Sequence, residues 1–155
     1  MKIHLGADHA GFDLKEELKS YLNLAGYEVV DHGALTYDAA DDYPDFIIPA
    51  MEALAKETEP AFGFVFGGSG QGEALAANKV KGIRAALYYG HNQEIVRLAR
   101  EHNNANVLSL GARMISIDAA KEAAELFLNT AFAGDRHERR IQKLTNYETT
   151  GRTQM

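Results

Sequence analysis

The strongest constraint on the fold is a regular alternation of short apolar runs with segments that repeat their apolar residues at helical spacing. The apolar runs predict five strands: KIHLGAD, YEVVDHGA, AFGFVF, GIRAALYY and ANVLSLGA. Helical spacing predicts six helices: residues 12–25, YPDFIIPAMEALAKE, EALAANK, NQEIVRLAREH, SIDAAKEAAELFLNT and RHERRIQKLTNYE. Strands that alternate with helices favour a parallel sheet with right-handed crossovers. We therefore expect a single-domain, Rossmann-like three-layer α/β fold with a five-stranded parallel sheet.

Local signals agree with these boundaries. Gly26 is a typical stop for the first helix, and Pro44 suits the first turn of the second, although Pro49 is expected to kink it. Ser116 is positioned to cap the fifth helix.

The composition excludes several classes of function. The 155 residues carry a net charge of -6, which argues against general nucleic-acid binding, because neutralising phosphates requires a basic face. Without cysteine, the chain has no disulfide, thiolate metal site or cysteine nucleophile. No apolar run is long enough to span a membrane and the start does not resemble a signal peptide, so we expect a cytoplasmic protein. We expect one domain over residues 1–148 and a frayed tail over residues 149–155.

Ligands of open parallel sheets bind outside the carboxyl ends of the strands. This rule selects five segments as candidates for the site: GADHAG, DHGA, GGSGQGE, YYGHN and GARM.

The glycine-rich segment GGSGQGE is the most informative of these. It lacks the Lys-Ser/Thr pair of a Walker loop and the GxGxxG spacing of a dinucleotide site. Its backbone N–H groups can still stabilise an anion, including an oxyanion formed during a reaction. Glu73 follows immediately, and an ionised carboxylate beside such N–H groups suits proton removal next to a carbonyl. A ligand-free turn and an ordinary glutamate at a helix start remain the alternatives.

Three further groups of polar residues are candidates. Asp8 and His9 end the first strand and can bind a polyol or phosphate, or cap the next helix. His102 and Asn103 end a helix, where His can shuttle protons and both residues can also act as caps.

Arginines near the C-terminal end form the third group. Arg136 and Arg140 share a helical face that suits a phosphate or carboxylate, or belongs to a solvated charged surface with Glu138. Arg113, after the fifth strand, can join them. The scattered histidines show no HxxxH or HExxH spacing, so we expect no metal site and no cofactor.

Six motifs in register resemble the ribose-5-phosphate isomerase type B family, which also includes galactose-6-phosphate isomerase subunits. They are GADHAGFDLK, DYPD, GGSGQGE, AANKVKGIRAAL, REHNNANVLSLGAR and RHERRI, and they cover residues 1–148. The resemblance implies metal-independent aldose–ketose isomerisation of a sugar phosphate by a homodimer, or a dimer of dimers, with shared active sites. It also implies a C-terminal helix at the dimer interface, with neither nucleic acid nor membrane as partner.

The resemblance also implies a role for each candidate residue. Asp8 and His9 would contact the sugar, Tyr43 would line the pocket, and His102 would assist ring opening beside the substrate-binding Asn103. Ser69 and the loop, including Gly68, Gly70 and Gly72, would hold the enediolate oxygen. The phosphate would bind His9, Arg113, Arg136 and Arg140, with some of these residues supplied by the partner subunit.

Two branches of the family differ in their catalytic base. One has a cysteine at the position of Gly67, and the other has a glutamate at the position of Glu73. Because this chain has no cysteine, the resemblance implies Glu73 as the base.

The expected substrate is ribose 5-phosphate, which would be converted into ribulose 5-phosphate. A six-carbon or four-carbon sugar phosphate, a non-catalytic sugar-phosphate-binding regulator and a nucleotide-binding module are the alternatives. The segment around YYGHN is roughly two residues longer than the resemblance leads us to expect. Tyr88, Tyr89 and His91 are therefore candidates for reshaping the sugar-binding end, unless the extra length is an innocuous extension.

Overall fold

The computed structural model describes residues 1–154. The strands are β1 (Lys2–Ala7), β2 (Glu28–Asp31), β3 (Ala61–Gly67), β4 (Ala85–Tyr88) and β5 (Val107–Gly111). The helices are α1 (Phe12–Leu24), α2 (Pro44–Ala55), α3 (Gln71–Ala77), α4 (Glu94–Asn103), α5 (Ile117–Asn129) and α6 (Arg136–Thr150). The predicted fold class is confirmed.

All five strands are parallel, and their order in the sheet is β2-β1-β3-β5-β4. Helices α1, α4 and α5 bury their apolar residues against one face, and α2 and α3 cover the other. The alternation of side chains along β3 shows this directly, because Phe64 and Phe66 enter the first core while Val65 enters the second.

The predicted boundary signals hold at several ends. The Ser116 hydroxyl accepts a hydrogen bond of 3.1 Å from Ala119 N–H, and Gly26 has φ +92°, the left-handed region that favours glycine. Pro44 opens α2, and Pro49 lies inside that helix without ending it. Helix α6 extends to Thr150, past the predicted domain end, and Gly151 ends it with φ +73°.

Chain direction decides what each edge of the sheet presents. The loops after β1, β3 and β5 meet at the carboxyl edge, because these strands are neighbours. Helix α4 runs back from the end of β4 toward the start of β5, so its last residues lie at the amino edge. Among residues 1–154, no helix combines the length and apolarity needed to cross a membrane.

Candidate active site

The loops after β3 and β5 are joined by backbone hydrogen bonds at the carboxyl edge of the sheet. Ala112 N–H donates to the Gly67 carbonyl over 2.8 Å, and Arg113 N–H donates to the Gly68 carbonyl over 3.0 Å. These bonds continue the β3–β5 pairing beyond the strands. The glycine loop and Arg113 are therefore held in a fixed relation.

A hydrogen bond from β5 holds the glycine loop, which turns sharply into α3. The buried Ser109 hydroxyl donates to the Gly70 carbonyl over 2.6 Å. Gly70 has φ +79°, a conformation that disfavours any side chain at this turn. Ser69 lies at the outer bend, where its Oγ accepts from Gln71 N–H at 3.3 Å and its own hydroxyl proton remains available for donation.

Glu73 is buried against this loop with only 4% of its surface exposed. A Cβ built on Gly67 would overlap the Glu73 carboxylate, so the carboxylate occupies the space that a side chain at position 67 would need. Tyr43 packs over the same turn, since a Cβ on Gly72 would lie 2.8 Å from its Cζ. Glycine at positions 67 and 72 thus makes room for the two side chains that line the loop.

Burial raises the pKa of the Glu73 carboxyl above its ordinary value of 4.5. The neighbouring Asp8 carboxylate raises it further, and a hydrogen bond from the backbone N–H of Glu73 opposes both effects. A buried carboxylate with an elevated pKa is a stronger base than an exposed one, because its negative charge is poorly solvated.

Asp8 and His9 follow β1 at the same edge. Asp8 is 7% exposed, and its Oδ1 accepts from Ala10 N–H at 3.0 Å and from Gly11 N–H at 3.2 Å. Asp8 thus holds the turn that precedes α1 and does not cap the helix, whose N-cap is Gly11 without a side-chain hydrogen bond. Its carboxylate lies close enough to Glu73 to influence the ionisation of that residue.

Asp41 is a further candidate residue that sequence reasoning missed. Its Oδ1 accepts from His9 N–H at 2.9 Å and from His9 Nδ1 at 2.7 Å. Asp41 lies in a long loop with other acidic residues, and no periodicity or motif distinguished it from them. A carboxylate two residues before Tyr43 was the only available signal.

Ligand atoms of Asp8, His9 and Asp41 lie within 4.8 Å of one another, close enough to share a cation. The hydrogen bonds already described account for this proximity, since Asp41 binds His9 and Asp8 binds two backbone N–H groups. The absence of a metal site thus stays a prediction.

Arg113 adds a positive charge to this group. A Cβ on Gly68 would lie 3.0 Å from Arg113 Nη1, so the guanidinium covers the start of the glycine loop. Its charge acts to lower the pKa of His9, against the larger effects that raise it, so the two groups lie near enough to interact. His9 and Arg113 thus lie at the same edge of the sheet, and their binding of a phosphate stays a prediction.

His102 and Asn103 lie at the opposite edge of the sheet. They end α4, and the β5 strand that follows is five residues long, or about 16 Å. His102 stacks on His137 of α6 with ring centroids 4.2 Å apart. The helix cap itself is Asn104, with φ +45°, so neither predicted residue is the cap. One chain does not bring His102 or Asn103 to Glu73.

Arg136 and Arg140 also lie away from Glu73, in the first half of α6 beside His137. Both are exposed, and within residues 1–154 neither forms an ion pair with Glu138 or another carboxylate. These guanidinium groups are available to an anion supplied from outside the chain.

The two tyrosines after β4 differ in position. Tyr88 is 4% exposed and belongs to the main core, so the hypothesis that it reshapes the sugar-binding end is wrong for this residue. Tyr89 is exposed and lies beside the end of β5, since a Cβ built on Gly111 would be 2.9 Å from the Cβ of Tyr89. His91 is exposed with φ +75°. Only Tyr89 and His91 remain candidates.

Comparison with known proteins assigns this arrangement to a family. The family model described as Ribose/Galactose Isomerase matches residues 3–144. The chain belongs to the ribose/galactose isomerase family. The resemblance that the six sequence motifs indicated is thus confirmed.

Members of the ribose/galactose isomerase family match along nearly the whole chain. Ribose-5-phosphate isomerase B from Mycolicibacterium paratuberculosis is 44% identical over 97% of this chain and 93% of the relative. The protein of the same name from Mycobacterium tuberculosis is 45% identical over 97% and 91%.

Two solved structures share the fold at high similarity. Ribose-5-phosphate isomerase B from Mycoplasma genitalium, with bound ribulose-5-phosphate, has a TM-score of 0.91 and 38% identity over 96% of this chain and 97% of that one. The protein of the same name from Clostridium thermocellum has a TM-score of 0.90 and 40% identity over 97% and 99%.

Proposed function

We propose that this protein interconverts an aldose phosphate and its ketose, with ribose 5-phosphate and ribulose 5-phosphate as the pair. The observation that carries the proposal is the burial of Glu73 against the glycine loop, beside Asp8. Family membership and a near-full-length structural match with a relative that holds ribulose-5-phosphate support the choice of substrate.

The chemistry assigned to Glu73 is proton transfer between neighbouring carbons. Its carboxylate removes the proton from C2 of the open-chain aldose and returns it to C1, through a cis-enediolate. Ser69 and the N–H groups of residues 70–72 stabilise the enediolate oxygen, where negative charge develops in the transition state. Glu73 and the loop thus have complementary roles, since one takes the proton and the other the charge that remains.

Ring opening precedes this step, and we assign it to His102 with Asp8 as partner. Tyr43 lines the pocket and Asn103 binds the sugar. The phosphate binds at the far end of the substrate, where His9 and Arg113 of one chain meet Arg136 and Arg140. Four cationic groups suit a phosphate dianion, because charge-assisted hydrogen bonds are the strong ones.

The assembly that satisfies these assignments is a homodimer. His102, Asn103, Arg136 and Arg140 lie at one edge of the sheet and Glu73 lies at the other, so the second copy supplies them to each site. Helix α6 suits an interface, because only His137 and Ile141 are buried while Leu144 and Tyr147 are exposed. Asn103 and these two exposed residues line one groove of about 560 Å³ between α6 and β4. We place this enzyme in the cytoplasm.

A panel of sugar phosphates tests the function. We expect aldose–ketose interconversion of ribose 5-phosphate with a higher kcat/KM than for six-carbon or four-carbon sugar phosphates. Preference for another sugar would leave the proposed isomerisation intact but replace ribose 5-phosphate as the substrate. Tyr89 and His91 would then be the first residues to substitute in a search for what sets the preference. Tight binding without turnover on any substrate would instead identify a sugar-phosphate-binding regulator.

Gly67→Ala should inactivate the enzyme without unfolding it. The added Cβ overlaps the Glu73 carboxylate and must displace it from the loop, so we expect kcat to fall about 10²-fold or more. Steady-state kinetics and circular dichroism measure the two effects. Gly82→Ala is a control for general disturbance of the backbone, because Gly82 has φ +83° and open space around its Cβ position, so alanine there adds strain without displacing a side chain. Gly67 does not have a positive φ, so its substitution acts through the overlap with Glu73. Full activity of Gly67→Ala would contradict the placement of the base.

A further inference from the structure

Asp41 holds His9 through two hydrogen bonds to a single oxygen atom. Oδ1 accepts from the backbone N–H of His9 at 2.9 Å and from its ring Nδ1 at 2.7 Å. The Asp41 side chain is only 7% exposed, whereas that of His9 is 26% exposed. The buried carboxylate therefore fixes both the backbone and the ring of a partly accessible histidine.

This contact fixes the protonation of one ring nitrogen. An ionised carboxylate only accepts hydrogen bonds, so Nδ1 carries a proton. Tyr37 packs edge-on against the ring with centroids 6.3 Å apart, which further restricts its orientation. Within residues 1–154 the hydrogen bonds of the ring use Nδ1 alone, and Nε2 is left available for a ligand.

The surrounding charges favour a second proton on the ring. The hydrogen bond to Asp41 is the largest cause of a raised pKa for His9, and the Asp8 and Asp41 charges act in the same direction. Burial and the Arg113 charge oppose them, without reversing the shift. The His9 side chain is therefore cationic over a wider pH range than an ordinary histidine.

Within residues 1–154, the Asp41 carboxylate has no hydrogen-bond or ion-pair partner other than His9 and the N–H groups of that residue. Its Oδ2 is buried and has no hydrogen-bond partner within the described residues 1–154. A carboxylate removed from water in this way requires a nearby positive charge. His9 is the only cationic partner with which Asp41 forms an ion pair in this part of the chain.

We propose that Asp41 is a positioning residue that holds His9 as an imidazolium with Nε2–H directed to the phosphate of the substrate. This inference deepens the proposed function and rests on it. Asp41 does not touch the substrate, and its effect is to maintain a charge at the phosphate end rather than to assist proton transfer at C1 and C2.

Asp41→Asn tests the proposal through the pH dependence of KM. The amide keeps a hydrogen-bond acceptor for His9 but removes the negative charge, so His9 should lose its second proton near the ordinary value of 6.5. At about pH 6 we expect the KM of the variant to stay within about threefold of wild type, because His9 is largely charged in both. At about pH 8 we expect KM to be raised about tenfold, with kcat changed less than threefold.

The ratio of variant to wild type removes the titration of the substrate phosphate itself, which both proteins share. Asp42→Asn is the matched control, since it removes the same formal charge from an exposed neighbouring residue. Its KM ratio should be near one at both pH values. An Asp41→Asn ratio that does not rise with pH, or an equal rise in Asp42→Asn, would overturn the proposal.

Two measurements keep the proposal testable if the variant misfolds or the function is different. Nitrogen-15 NMR of wild type should show His9 titrating above 6.5, and titration at or below that value would overturn the inference. Inorganic phosphate binding, followed by calorimetry, should weaken with pH more steeply in Asp41→Asn than in Asp42→Asn. An inactive wild type that passes both tests would reject the isomerase function alone, whereas an active wild type that fails them would reject the role of Asp41 alone.

Discussion

Replacing Glu73 with Gln should lower kcat for ribose 5-phosphate by about 10²–10⁴-fold, the usual contribution of a general base. The glutamine amide fills nearly the same volume beside Gly67 as the carboxylate, so the glycine loop and the residues proposed to bind the phosphate should keep their positions. Affinity for a non-isomerisable sugar phosphate should therefore remain near that of wild type. Stopped-flow or coupled assays of ketose formation, together with calorimetric binding, measure the two effects separately.

Glu52→Gln provides the control for this substitution, since Glu52 is an exposed carboxylate on α2. It should leave kcat unchanged. Near-full activity of Glu73→Gln would remove Glu73 from the role of base.

The acid limb of the wild-type pH–rate profile should report the ionisation of Glu73. Glu73 must be ionised to accept a proton, so kcat/KM should rise with pH as the carboxyl loses its proton. Because burial and Asp8 raise its pKa, this limb should lie above the ordinary glutamate value of 4.5.

The periodicity of apolar residues predicted the helices and strands correctly, because the residues that alternate along the sequence are buried in the two cores on opposite faces of the sheet. Phe64 and Phe66 face one layer and Val65 the other, so β3 was recognisable from its residues alone. Strand order was not recognisable in this way. Insertion of β5 between β3 and β4 depends on the crossovers through α3 and α4, which pack on opposite faces of the sheet, and no local residue pattern records it.

The glycine loop and Glu73 were recognisable because their chemistry is concentrated in one short segment. Gly67 was ambiguous, since its small size could have served the turn rather than the carboxylate that occupies the adjacent space. Asp41 could not be found, because its role depends on a contact with a residue 32 positions away. The hypothesis that Tyr88 faces the sugar was wrong because Tyr88 is buried in the main core. Which face of the sheet a residue at a strand end occupies depends on the strand register, which the sequence does not give.

The position of His102 has the largest consequence for how the site is assembled. Sequence reasoning grouped it with Glu73 by chemistry, whereas the chain direction of α4 places it at the amino edge of the sheet. Within one chain, His102 and Glu73 therefore lie at opposite edges of the sheet. The proposed mechanism brings His102 of one copy to Glu73 of a second copy, and this proposal can be tested directly.

Mixing two inactive variants should restore activity. Glu73→Gln lacks the base and His102→Asn lacks the ring-opening group, and each alone should lose about 10²-fold or more. Refolded together at equal concentration, about half of the dimers should contain one copy of each. Such a dimer has one doubly defective site and one intact site, so activity should return to about a quarter of wild type.

Glu73→Gln mixed with Gly67→Ala is the matched control, because both changes fall in the same half of a site. Every site in that mixed dimer keeps one defect, and activity should stay at the level of the single variants. Gel filtration and a tag on one variant establish that mixed dimers form. No recovery in the Glu73→Gln and His102→Asn mixture, once mixed dimers are present, would mean that Glu73 and His102 do not serve one site across the interface. Ring opening would then need a donor from the carboxyl edge itself, where Asp8 is the residue whose carboxylate lies close enough to influence the ionisation of Glu73.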